Sequence, residues 1–368
     1  MSFAFYISGH GFGHASRQIE IMNALGRGRS QVSILVRTSA PRWLFERTMR
    51  VPYRWVECEC DTGVVQIDSL HLDEAETARR ANAFYATFGD RVAHEAGLLA
   101  EQGVRLVISD APPLACAAAA RAGVPSLVIS NFTWDWIYSA YSEHFETEAP
   151  AVVAQIRGAY RLATQGLRLP MAGGFDAIGR VEDIPFVARH ARADLLREDV
   201  LTGLDVPPER PIALSSFSHY GVNGHDMSSL DCLEDWTVVI TGNDPPSTLP
   251  DGVAFVKESR IYDQGFRYED LVAASDVVVT KPGYGIISEC IANQTAMLYT
   301  SRGHFPEYEV LVKEMPRYVR CAFIDQDSLM AGRWRDGLDG LLAAPPPPER
   351  PRTDGAEVAA ARIAETIE

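Results

Sequence analysis

The 368-residue chain is short of several things, and each shortage closes off a class of function. No apolar run approaches the roughly 20 residues that span a bilayer. The first apolar run is broken by Gly9 and His10, and it lacks the basic start and cleavage site of an export signal. Positive charge is scarce: 34 Lys and Arg stand against 49 Asp and Glu, a formal charge of −15. That balance argues against a nucleic-acid partner and against anionic lipid, both of which need a basic face. The six cysteines (Cys58, Cys60, Cys116, Cys232, Cys290, Cys321) are scattered, so reduced thiols in a cytoplasmic protein are expected. Cys58 and Cys60 share one face of an expected strand over 55–60, but no second pair or His cluster is near, and no metal site is expected. Neither the dinucleotide spacing G-x-G-x-x-G nor a metal-binding D-x-D is evident.

What remains is ordinary globular composition, 46% apolar and 23% charged, in a length that suits two cores better than one. Short apolar runs over 3–8, 31–37, 105–109 and 126–130 alternate with helical patterns, one of them long (75–102) and one alanine-rich (111–122). The same grammar restarts after residue 205, with runs over 211–216, 237–242, 253–256, 275–280 and 296–299. This is the pattern of parallel sheets covered on both faces. The expected domains are 1–185, a charged connector at 186–210, a second domain at 211–345, and a terminal piece at 346–368. In that last piece a proline-rich spacer precedes a helix over 355–367 that can reach back to the first domain.

Two segments carry the chemistry. Gly9-His10-Gly11-Phe12-Gly13-His14 joins a strand to an amphipathic helix, which makes an anion-binding corner where backbone N–H groups point outward. The glycines also fit a plain tight turn. His14 falls at the helix start as a candidate proton acceptor, whereas His10 alone reads as structural. Thr280-Lys281-Pro282-Gly283-Tyr284-Gly285-Ile286-Ile287-Ser288-Glu289 repeats the arrangement in the second half. Gly283 and Gly285 let backbone approach a phosphate, and Glu289 stands one turn on, where its carboxylate suits a ribose diol or simply the helix dipole. Asp110 ends a strand, where it orients His14, binds an acceptor or caps the next helix.

The second segment resembles the donor-binding region of GT-B glycosyltransferases, including the enzyme that adds N-acetylglucosamine to the peptidoglycan precursor and plant galactolipid synthases. In them a strand, a glycine turn and a helical Ser-Glu, here Ser288-Glu289, hold a nucleotide sugar. The loop 9–17 is similar to the glycosyltransferase-like half of plant L-arabinokinases and their bacterial homologues. So are 61–66, Ser109-Asp110 with Pro113, 131–138, and Lys281 to Glu289 with Phe305 and Glu307. These matches run to about residue 315, and nothing beyond resembles a kinase phosphate loop.

The resemblance implies a GT-B fold: two Rossmann-like doubly wound domains facing a central cleft. It implies a metal-independent, inverting glycosyltransferase that takes a UDP-sugar as co-substrate, with no cofactor, and hands the sugar to a hydroxyl or amine. His14 is the expected base, with Asp110 beside it. The expected donor site comprises Gly11, Gly13, Ser216, Phe217, Lys281, Gly283, Tyr284, Gly285, Glu289, Phe305 and Glu307, with Glu307 on the sugar. The loop 215–219 lacks the usual glycine pair, and the nucleobase is expected near 261–266, against Tyr262 and Phe266. His10, Trp134 and Asp135 are the expected acceptor contacts, Asp135 a third candidate base, with Trp134, Trp136 and Tyr138 alternating as on an extended segment. The alternatives are a UDP-sugar 2-epimerase-type enzyme, which needs no acceptor, and a non-catalytic sugar-nucleotide-binding protein.

Overall fold

The structure is a computed structural model and describes residues 2–27, 32–217, 230, 233, 235–245 and 248–367. Seven parallel strands form the first sheet: β1 (Ser2–Ile7), β2 (Ser33–Thr38), β3 (Tyr53–Glu57), β6 (Leu106–Asp110), β7 (Ser126–Phe132), β8 (Gln165–Gly173) and β9 (Val181–Asp183). Their order is β3-β2-β1-β6-β7-β8-β9. Between β3 and β6, a small antiparallel ribbon of β4 (Val65–Gln66) and β5 (Leu72–Asp73) projects from the sheet edge. The second sheet holds β10 (Ile212–Ser216), β11 (Thr237–Gly242), β12 (Val253–Lys257), β13 (Val277–Thr280), β14 (Ala296–Tyr299) and β15 (Cys321–Phe323), in the order β12-β11-β10-β13-β14-β15. Central strands such as β1 and β13 are buried almost throughout, because helices cover both faces.

In each sheet the strand order reverses beside the first strand, between β1 and β6 and between β10 and β13. A doubly wound sheet opens a crevice at that switch point, beyond the carboxyl ends of the strands. The two switch points face each other. The helix Phe12–Arg27, which follows β1, packs against Tyr284–Asn293, which follows β13. Their first turns meet so closely that a Cβ built on Gly285 would stand 3.4 Å from Cα of Gly13. This is the GT-B architecture, with the cleft where the sequence places it.

The chain end returns as expected. Helix Gly355–Glu365 buries Ala356, Ala359 and Ile363 against the first domain, and Glu357 pairs with Arg27 of the first helix. Gly355 is needed where the backbone of Pro185 and Phe186 passes, since any Cβ would strike it. Among the described residues no helix is long and apolar enough to cross a membrane.

Four local readings change. The stretch 55–60 is strand only to Glu57, so Cys58 and Cys60 lie in the following loop. The stretch 75–102 is two helices, Glu74–Ala86 and Phe88–Glu101, broken at Thr87. The connector is itself structured: helix Arg197–Gly203 buries Val200 and Leu201 in the core shared with Ile212 and Leu271. Finally, 134–140 is a helix, not an extended segment. Trp134, Ile137, Tyr138 and Tyr141 are its buried face and C-cap, spaced at the helical period.

Candidate active site

A cavity of about 460 Å³ lies between the two switch points, and both glycine corners line it. Gly11 takes a left-handed φ of +78°, which turns the chain from β1 into the first helix. The turn brings His14 to the wall of the cavity, nine-tenths buried, with Asp110 directly behind it at the end of β6.

His14 Nδ1 stands 2.9 Å from Asp110 Oδ1. Arg17, one turn further along the same helix, donates to Asp110 through Nε and NH2, both at 2.5 Å, and Gln18 Nε2 donates at 3.1 Å. Arg17 NH2 lies 2.5 Å from Asp110 Oδ1, 2.9 Å from His14 Nδ1 and 3.0 Å from Ser130 Oγ. Asp110 is ionised and can only accept, so the His14 Nδ1 that faces its Oδ1 is assigned the proton and donates to it. Nε2 of His14 is then the lone-pair nitrogen, and it has no hydrogen-bond partner among the described residues. Burial acts to raise the Asp110 pKa, but Arg17 and His14 outweigh it and hold the carboxyl at about 2. Asp110 is fully buried and does not itself line the cavity, and the helix after it starts from Pro113, with Pro112 as the cap.

His10 is held on both ring nitrogens. Val64 N–H donates to its Nδ1 at 3.3 Å, and its Nε2 faces the Gln66 amide at 3.3 Å. Its ring stacks on Phe305 of the second domain, at 5.8 Å between centroids. Burial, then the nearby His14, Arg302 and Lys281, push its pKa well down, so His10 is a neutral strut on the cavity wall. Trp134 is fully buried behind both histidines, and its Nε1 donates to Asp61 Oδ2 at 2.8 Å, so it supports the site without reaching an acceptor. Asp135 does not line the cavity: its carboxylate accepts from Arg157 Nε at 3.2 Å on the far side of that helix. The expectation of an acceptor contact or base there is corrected, because the helical turn carries Asp135 away from the cleft.

Ser216, Phe217, Lys281, Gly283, Tyr284, Gly285, Glu289, Phe305 and Glu307 also line this cavity. Ser216 Oγ bonds Tyr268 Oη at 2.7 Å. Residues 218 and 219 of that loop lie outside the described residues. Lys281 is depressed to about 7, first by burial and then by Arg302. Tyr262 lines the cavity edge-on to Trp43, whereas Phe266 packs away from it.

Two acidic residues have partners that sequence reasoning missed. Glu289 is bound by Arg189 of the connector, Nε to Oε1 at 2.7 Å, and Arg189 also lies 3.5 Å from Glu269. Burial nevertheless raises Glu289 to about 6, with Glu269 adding to the effect. Glu307 Oε1 accepts from Asn131 Nδ2 at 2.7 Å, and Asn131 Oδ1 accepts from Arg17 at 2.6 Å. A chain of polar contacts thus crosses the cleft from Asp110 to Glu307. Arg189 belongs to no motif, Asn131 falls in the 131–138 match without an assigned role, and only the fold brings the two to these carboxylates.

An N-terminal corner carrying a fixed histidine, set against a second helix N-terminus across one cavity, places the molecule with the GT-B glycosyltransferase folds. No family model matches. The chain is 29% identical to L-arabinokinase of Arabidopsis thaliana over 370 residues, 99% of this chain and 34% of that protein, so it spans about a third of the length of that curated relative. Among solved structures, CalG4, the calicheamicin glycosyltransferase, matches with a TM-score of 0.63 at 17% identity, over 99% of this chain and 97% of that one. UGT2 of Phytolacca americana, complexed with UDP-2-fluoro-glucose and pterostilbene, matches with a TM-score of 0.60 at 12% identity, over 100% and 94%.

Proposed function

We propose that the protein is a glycosyltransferase moving a sugar from a nucleoside diphosphate sugar, with UDP as the nucleotide, to a hydroxyl or amine with inversion. The observation that carries this reading is His14: Nδ1 faces the Asp110 carboxylate at 2.9 Å, and Nε2, on a cavity faced by the Gly283–Gly285 corner, has no partner among the described residues. In this reading the diphosphate lies on the N-terminus of helix Tyr284–Asn293, where free N–H groups and the dipole favour an anion. Lys281 supplies further positive charge, and Glu289 meets the ribose. The acceptor O–H or N–H gives its proton to His14 Nε2 as its lone pair attacks the anomeric carbon. The bond from that carbon to the diphosphate oxygen breaks, and the electron pair leaves with the nucleotide. Asp110 stabilises the imidazolium that forms. The choice of UDP rests on the resemblance of the segment Lys281 to Glu289 to GT-B donor sites.

A thermal-shift panel of nucleotides and nucleotide sugars tests this, on the native protein and on Glu289→Ala. Stabilisation by UDP and by a UDP-sugar, lost in the variant, is expected. UDP release on adding acceptors, abolished in His14→Ala, then establishes transfer. If no nucleotide raises the melting temperature, the donor site is misassigned.

A further inference from the structure

We propose that the transferred sugar carries a carboxylate, as a hexuronate does, and that Arg302 is the residue that selects it. The proposal rests on the donor reading above and goes one step past it. Arg302 follows β14, the strand next to β13, so it stands beside the phosphate corner on the same cavity wall. Its side chain is only 6% exposed. Its guanidinium lies 4.2 Å above the Phe305 ring, which is itself stacked on His10, so the cation is fixed on a rigid aromatic pile.

That fixed guanidinium is under-used. Among the described residues it makes one hydrogen bond, from NH1 to Pro282 O at 3.3 Å. Nε is buried with no hydrogen-bond partner among the described residues. The nearest carboxylate oxygen, Glu307 Oε2, is 3.9 Å from NH1, beyond hydrogen-bond reach, and the other oxygen of Glu307 is held by Asn131. A buried donor without an acceptor costs free energy, and a planar fork of donors matches a carboxylate in two parallel bonds. The surroundings agree: burial lowers the Arg302 pKa, and Lys281 is depressed beside it, as expected where cations crowd without enough anions. A neutral hydroxymethyl group offers one uncharged acceptor in place of a charged, two-oxygen one, and a protonated amino group meets like charge.

Isothermal titration of UDP, UDP-glucose, UDP-galactose, UDP-glucuronate and UDP-galacturonate, against the native protein, Arg302→Gln and Arg302→Lys, tests this. The neutral and acidic sugars of each pair differ only at C6. The native protein is expected to bind one uronate about tenfold more tightly than its neutral partner, a difference of about 1.4 kcal/mol. Arg302→Gln is expected to erase that preference and leave UDP affinity unchanged, and Arg302→Lys to restore part of it. Circular dichroism of both variants confirms that they fold. No preference in the native protein overturns the proposal. So does an equal loss for UDP and all four sugars in Arg302→Gln, which assigns Arg302 to the diphosphate. If UDP binds in neither case, the donor reading falls as well.

Discussion

The residue that decides most at the site is Asp110, because four donors end on it. Asp110→Asn keeps one acceptor oxygen and loses the charge that fixes His14 and Arg17. Transfer is expected to fall by a factor of about 10² or more, the usual size of a general-base contribution. UDP stabilisation of the folded variant should persist. Leaving Arg17 buried without its counterion should also cost about 3 kcal/mol, read by urea denaturation. Because Asp110 sits at about 2 when folded, against an ordinary 3.8, its contribution is present above pH 4 and lost as pH falls toward 2. Asp61 runs the other way. Burial, opposed by the bonds from Trp134 and Ser8, raises it from 3.8 to about 6, so its stabilising share is complete below pH 4 and is lost as pH rises through 6. Asp61→Asn does not titrate. The native protein should therefore lose roughly 3 kcal/mol relative to that variant between pH 4 and pH 7.5, measured from urea midpoints. His14 and Asp110 were legible because each ends or follows an apolar run that reads as a strand. Arg189 was not, since its partner Glu289 is 100 positions away and only the closure of the connector joins them.

At the scale of elements, the ribbon β4–β5 couples the domains. Its turn places Leu70 in the core of the second domain, with Phe217 and Val279, while Ser69 Oγ bonds Phe217 O and Gly303 N–H bonds Leu70 O at 2.6 Å. Asp68 shapes the turn by accepting from the N–H groups of Leu70 and His71. Leu70→Ala is expected to cost about 2–4 kcal/mol, typical of a truncated buried leucine, and to expose the 67–71 turn to limited proteolysis. If only proteolysis changes, Leu70 guides the turn without supporting the second core. Such a ribbon is nearly invisible in sequence, because two-residue strands carry no period. The helix at 134–140 is a different case. Its signal was present, as apolar residues at 134, 137, 138 and 141, but the tryptophans at 134 and 136 suggested the wrong period and brought Asp135 toward the cleft.

For the whole molecule, the question is whether two sheets make two folding units. One buried cluster runs from Phe3 and Ile19 in the first domain through Tyr284 and Ile287 to Ile212 and Leu214 in the second, and it includes Ile363 of the returning helix. The interface is therefore core rather than rim, and the last helix clamps the first, which carries both His14 and Arg17. This predicts one calorimetric transition, not two. Ile363→Asp buries an unpaired charge far from the cavity lining and should cost about 3 kcal/mol or more. If the core is one unit, the whole transition moves down together, and saturating UDP raises it again by mass action, because the substitution touches no ligand. If instead the endotherm splits and only its lower part shifts, the first domain unfolds alone. The site between the domains then depends on ligand, rather than on packing, to hold its two walls together.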